Sequence, residues 1–282
     1  MPGTITTNDI SGSLDAKNIA MRVLQGAIEL TDMAPMCMEV RVPELTATIP
    51  VQSVVAGAED LGEFETSEIE GSEFTNVDFD LKKDRIKVAV SDEARYKSKA
   101  GDPLTLQERT GSSRLAQMLN KKIVDAFDTT PQTSAGSDWS GANNPLADIG
   151  TAIAAIRPFK PSHMLMGTTA FTNYVANASI AKYGTGNVGQ FNNAVAVVPG
   201  YNIPIYSSQE VDDQVDAAAA FVVARDAPGA VVGNGPVKVR RKDTFDGGEV
   251  YQIDVWRQVK SNIHDTGSDT NKAVYKLTAL NG

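Results

Sequence analysis

The 282 residues carry 26 Lys and Arg against 35 Asp and Glu, a formal charge of -9, and 41% of them are hydrophobic. A core in one large domain or two modest ones is within reach, and global disorder is excluded. The acidic balance excludes a protein whose main task is gripping nucleic acid, since that affinity comes from neutralising phosphates with Lys and Arg.

Residues 1–13 are polar and turn-prone, which predicts a mobile arm. From Leu14 to Leu30 the pattern is helical, with Leu14, Ile19, Val23, Leu24, Ala27 and Ile28 in one apolar stripe and Asp15 at the positive end of the dipole. Cys37 is the one cysteine. It excludes an intrachain disulfide, fits a reducing compartment and reads as a small half-buried hydrophobe. Pro35 and Pro43 imply an extended path through 36–50. Val77, Phe79 and Leu81 then alternate with polar residues, as do Ile86, Val88 and Val90. Such alternation predicts strands covered on one face, with Ile49, Val51, Val54 and Val55 as a pairing strand. From Glu59 to Asp80 there are nine carboxylates and no Lys or Arg, punctuated by Gly62 and Gly71. So few apolar residues cannot form a local core, and the expectation is a long acidic hairpin projecting from a body.

Charge then reverses: Lys82 to Lys122 holds eleven basic residues against five acids. The best helix of the chain lies within, at Leu104–Phe127, with Asp102 as N-cap and Pro103 in the first turn. Leu115, Met118, Leu119, Ile123 and Phe127 form its packing face. After a polar loop, Asn144-Pro145 starts a second helix that ends before Pro158. Ser162–Gly167 is a short strand, and Thr168 or Thr169 caps a third helix through Ala178. Beyond, the predicted strands are Val195–Val198, Ile203–Tyr206, Ala219–Ala224, Val237–Arg241, Val250–Lys260 and Ala273–Thr278. The fold class is α+β, and no internal repeat appears.

Chemistry is sparsely signalled. Gly184, Gly186 and Gly189 match the dinucleotide-binding glycine spacing, but no buried strand precedes them and no helix follows, so a surface loop is the better reading. His163 and His264 have no ligand partner at helical spacing. The acidic run lacks the spacing of a calcium loop, and solvated carboxylates keep ordinary pKa values that suit catalysis badly. No P-loop or nucleophile elbow occurs, so neither cofactor nor metal is expected and the chain reads as a non-enzyme. Met1-Pro2-Gly3-Thr4 opens no signal peptide pattern, and no stretch approaches the roughly 18 apolar residues of a membrane span, which predicts folding in the cytoplasm without membrane contact.

The order of elements resembles the Hong Kong 97-type (HK97) major capsid protein of tailed phages, archaeal tailed viruses and encapsulins. The resemblance rests on the stem Val77–Val90, the spine helix Leu104–Phe127, the strand Gly200-Tyr201-Asn202-Ile203-Pro204-Ile205-Tyr206, the segment Phe221–Asp226 with Ala230–Gly233, and the late strands Val250–Lys260 and Ala273–Leu280. It implies an N-terminal arm at 1–50, an extended loop at 51–90, a peripheral domain at 91–150 and 250–282, and an axial domain at 151–249. It implies hexamers and pentamers that form an icosahedral shell around double-stranded DNA, assembled in the host cytoplasm. Partners would be the chain itself, a portal, a separate scaffolding protein, non-specific DNA inside, and a decoration protein. Glu63, Glu65, Glu68, Glu70 and Glu73 of the loop would meet basic residues of a neighbour, with Arg109, Arg114, Lys121, Lys122, Arg240 and Arg241 as candidates. Gly184, Gly186 and Gly189 would lie at the capsomer axis. Some members precede the loop with a long segment that a protease removes; the ~45 residues here are too few for one. Some crosslink through a loop lysine, which the acidic run lacks. The alternatives are an encapsulin-type compartment and a soluble α+β enzyme that uses the glycine loop for a nucleotide.

Overall fold

The computed structural model describes residues 7–31, 33–52, 74–97, 103–141, 143–157, 159–183, 194–215, 218–225, 229–244, 248–261 and 273–280. The first helix, α1 (Thr7–Leu30), starts within the stretch expected to be a mobile arm. A helix nucleated by the packed residues Ala16, Ile19, Ala20, Val23 and Ala27 extends cheaply toward its N-terminus. A short 3₁₀ turn, Ala34–Met36, leads into β1 (Met38–Arg41) and β2 (Thr46–Gln52), as the two prolines required. β2 pairs antiparallel with β3 (Phe74–Asp80) in a two-stranded sheet, from Thr46 opposite Asp80 to Gln52 opposite Phe74. At buried Leu81, whose amide donates to the Leu45 carbonyl, the chain leaves this ribbon and enters β4 (Lys82–Ser91). The two halves of the alternating stretch therefore lie in different sheets.

A short helix, α2 (Asp92–Lys97), precedes the long α3 (Pro103–Asp128), which runs almost as the sequence predicts. β5 (Thr133–Ala135) falls in the expected loop. α4 (Pro145–Ala155) starts as predicted: the Asn144 side chain accepts from the Leu146 amide. β6 (His163–Gly167) and α5 (Thr168–Ala176) follow. Neither threonine caps α5; its N-cap is Gly167, and the Thr169 amide donates to the Asp212 carboxylate at 3.2 Å. The cap comes from a remote segment, so local sequence could not reveal it.

The rest comprises α6 (Ala178–Ala181), β7 (Ala196–Val198), β8 (Ile203–Ser208), α7 (Gln209–Gln214), β9 (Ala220–Val223), β10 (Ala230–Thr244), β11 (Gly248–Ser261) and β12 (Val274–Thr278). The β7–β8 turn uses Gly200 at φ 81° and Asn202 at φ 55°, both left-handed. The predicted strand Val237–Arg241 is the middle of the far longer β10, because Val231–Asn234 pairs with both β1 and β11.

Two main sheets result. One has four strands in the order β1-β10-β11-β4, the other six in the order β5-β12-β9-β6-β8-β7. They cut across the expected domain ranges. β10 belongs with β11, β4, α1 and α3, while β12 lies in the six-stranded sheet beside β9. The six-stranded sheet is buried among Trp139, Ile149, Met164, Ile205 and Val222 on one side and Phe127, Leu165, Phe221 and Val274 on the other. The four-stranded sheet buries one face, with Ile86, Val88, Tyr251, Ile253 and Val255 packed on Leu115 of α3 and on Ile19 and Val23 of α1.

Candidate assembly surface

The site begins at the root of the β2–β3 ribbon. Phe79 and Leu81 are buried with Val42 and Val231, fixing where β3 leaves the body. Gly233 on β10 leaves room for this seat: a Cβ there would lie 2.8 Å from the Phe79 ring. Beyond Gln52 and Phe74, the residues Glu63, Glu65, Glu68, Glu70 and Glu73 lie outside the described residues. The same holds for Gly184, Gly186, Gly189 and His264. His163 is the first residue of β6, with Nδ1 2.8 Å from the Ser162 hydroxyl. Cys37 is buried, and that burial pushes its thiol up to about 12, so it is a poor nucleophile.

The six basic candidates do not form one patch. Arg109, Arg114 and Lys121 are exposed on α3, which covers the apolar face of the four-stranded sheet. Lys122 is bound within the chain, its Nζ donating to both Asp84 carboxylate oxygens at 2.7 and 2.8 Å. Arg241 donates to Glu249 at 2.6 Å. Lys122 and Arg241 are thus both ion-paired within the chain. Both carboxylates stand on strands that tertiary pairing brings close, which no local spacing announces. Arg240 is exposed on the other face of the sheet.

That other face is cationic. Side chains alternate along a strand, so Lys83, Arg85 and Lys87 of β4 point away from the core that holds Ile86 and Val88. Across the sheet, Lys87 stands opposite Gln252 and Gln252 opposite Arg240; Arg85 stands opposite Asp254 and Asp254 opposite Lys238. Lys238 Nζ lies 5.5 Å from the centre of the Trp256 ring, which confirms the shared face. Gln252 and Asp254 are buried between the two cationic rows. Asp254 accepts from Arg85 at 2.7 and 3.1 Å and from Gln252 at 3.1 and 3.2 Å. The Arg85 hydrogen bond is the main reason that the Asp254 carboxyl titrates below the usual range, against the opposing effect of burial. Sequence reading offered the basic block from Lys82 to Lys122 and the run Lys238, Arg240, Arg241 and Lys242 as possible partners, and did not place Lys83, Lys87, Lys238 and Arg240 on one face. The signal was present: each is the polar member of an alternating strand whose apolar members are buried.

A two-stranded ribbon rooted on a body, a long helix lying over a four-stranded sheet, and a separate six-stranded sheet together make the fold of HK97-type capsid proteins. The chain matches the phage capsid protein family over residues 76–275 and belongs to that family. Among solved structures it is similar to the virus-like particle of Pyrococcus furiosus, at 8% identity and a TM-score of 0.65, over 93% of this chain and 98% of that one. It is similar to a protein of Microbacterium phage Oxtober96, at 14% identity and a TM-score of 0.61, over 86% and 89% of the two chains. The SrpI encapsulin of Synechococcus elongatus PCC 7942 gives 12% identity and a TM-score of 0.62, over 87% and 85%. No curated protein matches the chain in sequence. The chain is thus a structural protein, a major capsid protein that self-assembles into a shell, and its place is the virion capsid.

Proposed function

We propose that this subunit builds hexamers and pentamers of an icosahedral shell that encloses double-stranded DNA, without catalysis of its own. The observation that carries this reading is the β2–β3 ribbon. Its strands pair with each other and with no further strand among the described residues, and its sequence continues into a run that cannot form a core. Elements that cannot bury themselves bury against another chain. The ribbon with the acidic run is the extended loop. The α3 layer with the four-stranded sheet is the peripheral body, and the six-stranded sheet, with the glycine loop at the capsomer axis, is the axial body. Assembly takes place in the host cytoplasm around a separate scaffolding protein and a portal. DNA contact inside is non-specific, and a decoration protein can bind outside.

Exposed ion pairs are each worth about 0–1 kcal/mol, so shell stability comes from many repeated contacts and buried apolar surface, with charge setting register. The test is negative-stain microscopy with light scattering on the purified chain. Closed shells or capsomer rings are expected. A uniform monomer or dimer at high concentration, also with scaffolding protein added, would overturn the reading. Reversing Glu63, Glu65, Glu68, Glu70 and Glu73 to Lys should abolish particles while circular dichroism and the melting temperature stay those of the folded subunit. A compartment for protein cargo is the second reading, favoured by the similarity to SrpI encapsulin. Recovery of protein in place of DNA from purified particles would select it.

A further inference from the structure

The four-stranded sheet has a notch at its edge. Lys82 opposite Arg257 is the last pair between β4 and β11, and β11 runs on to Ser261 with only β10 beside it among the described residues. The end of α3 closes over this notch. The Thr129 and Ser261 hydroxyls both donate to the Ala126 carbonyl, which ties α3 to β11 there. A cavity of about 400 Å³ remains, with Lys82, Lys122, Asp125 and Arg257 among its lining residues. Sites for small molecules span roughly 300–1,000 Å³. Arg257 is 7% exposed, and its guanidinium has no hydrogen bond or ion pair among the described residues. The Lys82 ammonium is exposed and equally unpaired there. The two residues stand directly opposite each other, so they share a face of the sheet. Lys122 is spent: its Nζ donates to both Asp84 oxygens and lies 3.4 Å from the Arg257 carbonyl oxygen.

We propose that this cavity binds a small phosphate compound, its oxyanion held between the Arg257 guanidinium and the Lys82 ammonium. A buried guanidinium short of acceptors is costly, because its five N–H donors have left water without replacement. Burial lowers the pKa of Arg257, against the pull of Asp84 and Glu39. An arginine keeps its charge even so. The nearby carboxylates leave its donors unfilled. Asp84 is bound to Lys122, Glu39 accepts from Asn234 at 3.3 Å, and Asp125, on the cavity lining, is exposed to solvent. A phosphate group fits what remains. Its charge of about -1.5 to -2 and its three acceptor oxygens can meet two cations at once. The planar fork of arginine takes two of those oxygens, and lysine adds a point charge. The burial of Arg257 favours a small molecule over nucleic acid, whose backbone is met by exposed cations. Such a site does not depend on the shell function.

The experiment is isothermal titration calorimetry of the full-length chain with inorganic phosphate and with AMP, at constant ionic strength. A phosphate-dependent rise in melting temperature is the second readout. The native chain should bind at least one of the two ligands. Lys82→Glu and Arg257→Met should each bind about tenfold more weakly or worse, while circular dichroism stays that of the native chain. Methionine keeps a long unbranched side chain in the buried position and removes the charge. If Arg257→Met fails to fold, Lys82→Glu decides, because Lys82 is exposed. Tighter binding of AMP assigns a phosphate ester, and equal or tighter binding of phosphate assigns the free ion; both support the site. Equal affinity of the native chain and Lys82→Glu overturns it. So does the absence of binding by both readouts at millimolar ligand, and so does a chloride titration that gives the same shift. Binding of duplex DNA with neither small ligand bound assigns the cations to nucleic acid and also overturns it.

Discussion

The two main sheets are built on different terms. In the six-stranded sheet β6 and β9 are covered on both faces: Met164, Leu165 and Met166, and Ala220, Phe221, Val222 and Val223, are all buried. In the four-stranded sheet β4 alternates between buried Ile86, Val88 and Val90 and exposed Lys87 and Ala89. Among the described residues its strands carry the ion pairs Arg85 with Asp254 and Arg241 with Glu249, Lys122 of α3 binds Asp84 of β4, and Arg22 of α1 binds Glu108 of α3, whereas at the six-stranded sheet Lys276 of β12 binds Asp128. A sheet covered on both faces is complete within one chain. The second face of the four-stranded sheet is covered only where Phe79 and Leu81 pack on Val231 and Trp256, and the exposed remainder is charged. The sheet buried on both faces and the sheet with a charged, exposed face are thus separate, so each can be weakened alone.

The sharpest way to break the comparison is in the six-stranded core. Phe221 is fully buried on β9, its ring 5.7 Å from that of Phe127. Phe221→Ala should cost about 3–5 kcal/mol of subunit stability, read as a lowered denaturant midpoint. A loss under about 1 kcal/mol would mean that the core collapses around the gap, contrary to close packing.

The next effect lies in the charged sheet and depends on pH. Asp254 has a folded pKa below its unfolded value, chiefly through Arg85. Its contribution is therefore fully present above the unfolded value of about 3.9 and is lost as pH falls through the lower folded value. Asp254→Asn should be less stable than the native subunit at pH 7, and the gap should close as pH falls below about 4. Urea midpoints of the unassembled chain between pH 2 and 7 measure it, and a gap constant across that window would refute the assignment.

The smallest effect concerns α4, which packs on the six-stranded sheet. Asn144→Ala removes the cap on the Leu146 amide and should cost about 1 kcal/mol without altering assembly. Calorimetry of the subunit together with particle yield tests both parts.

Legibility followed the physics of each element. The long α3 was readable because Pro103 and a run at helical spacing act locally, and α4 because Asn144 and Pro145 do. The strands were readable from alternation or from short apolar runs. The extent of β10 and the cap of α5 were not, because each is decided by a partner far away in sequence: β1 with β11, then Asp212. On the candidate surface, charge signs were legible and pairings were not. Lys122 and Arg241 looked available in the sequence and are bound in the fold.

Sequence alone determined the α+β class and the acidic run with its lack of cations, since composition and periodicity are local properties that survive without coordinates; the order of the elements carried the capsid resemblance. Only tertiary structure decided which cations share a face. Lys83 and Lys238 lie 155 residues apart, and they come together because β4 and β10 both pair with β11. Strand register is a long-range hydrogen-bonding choice, and a shift of one residue would have turned the same lysines into the core.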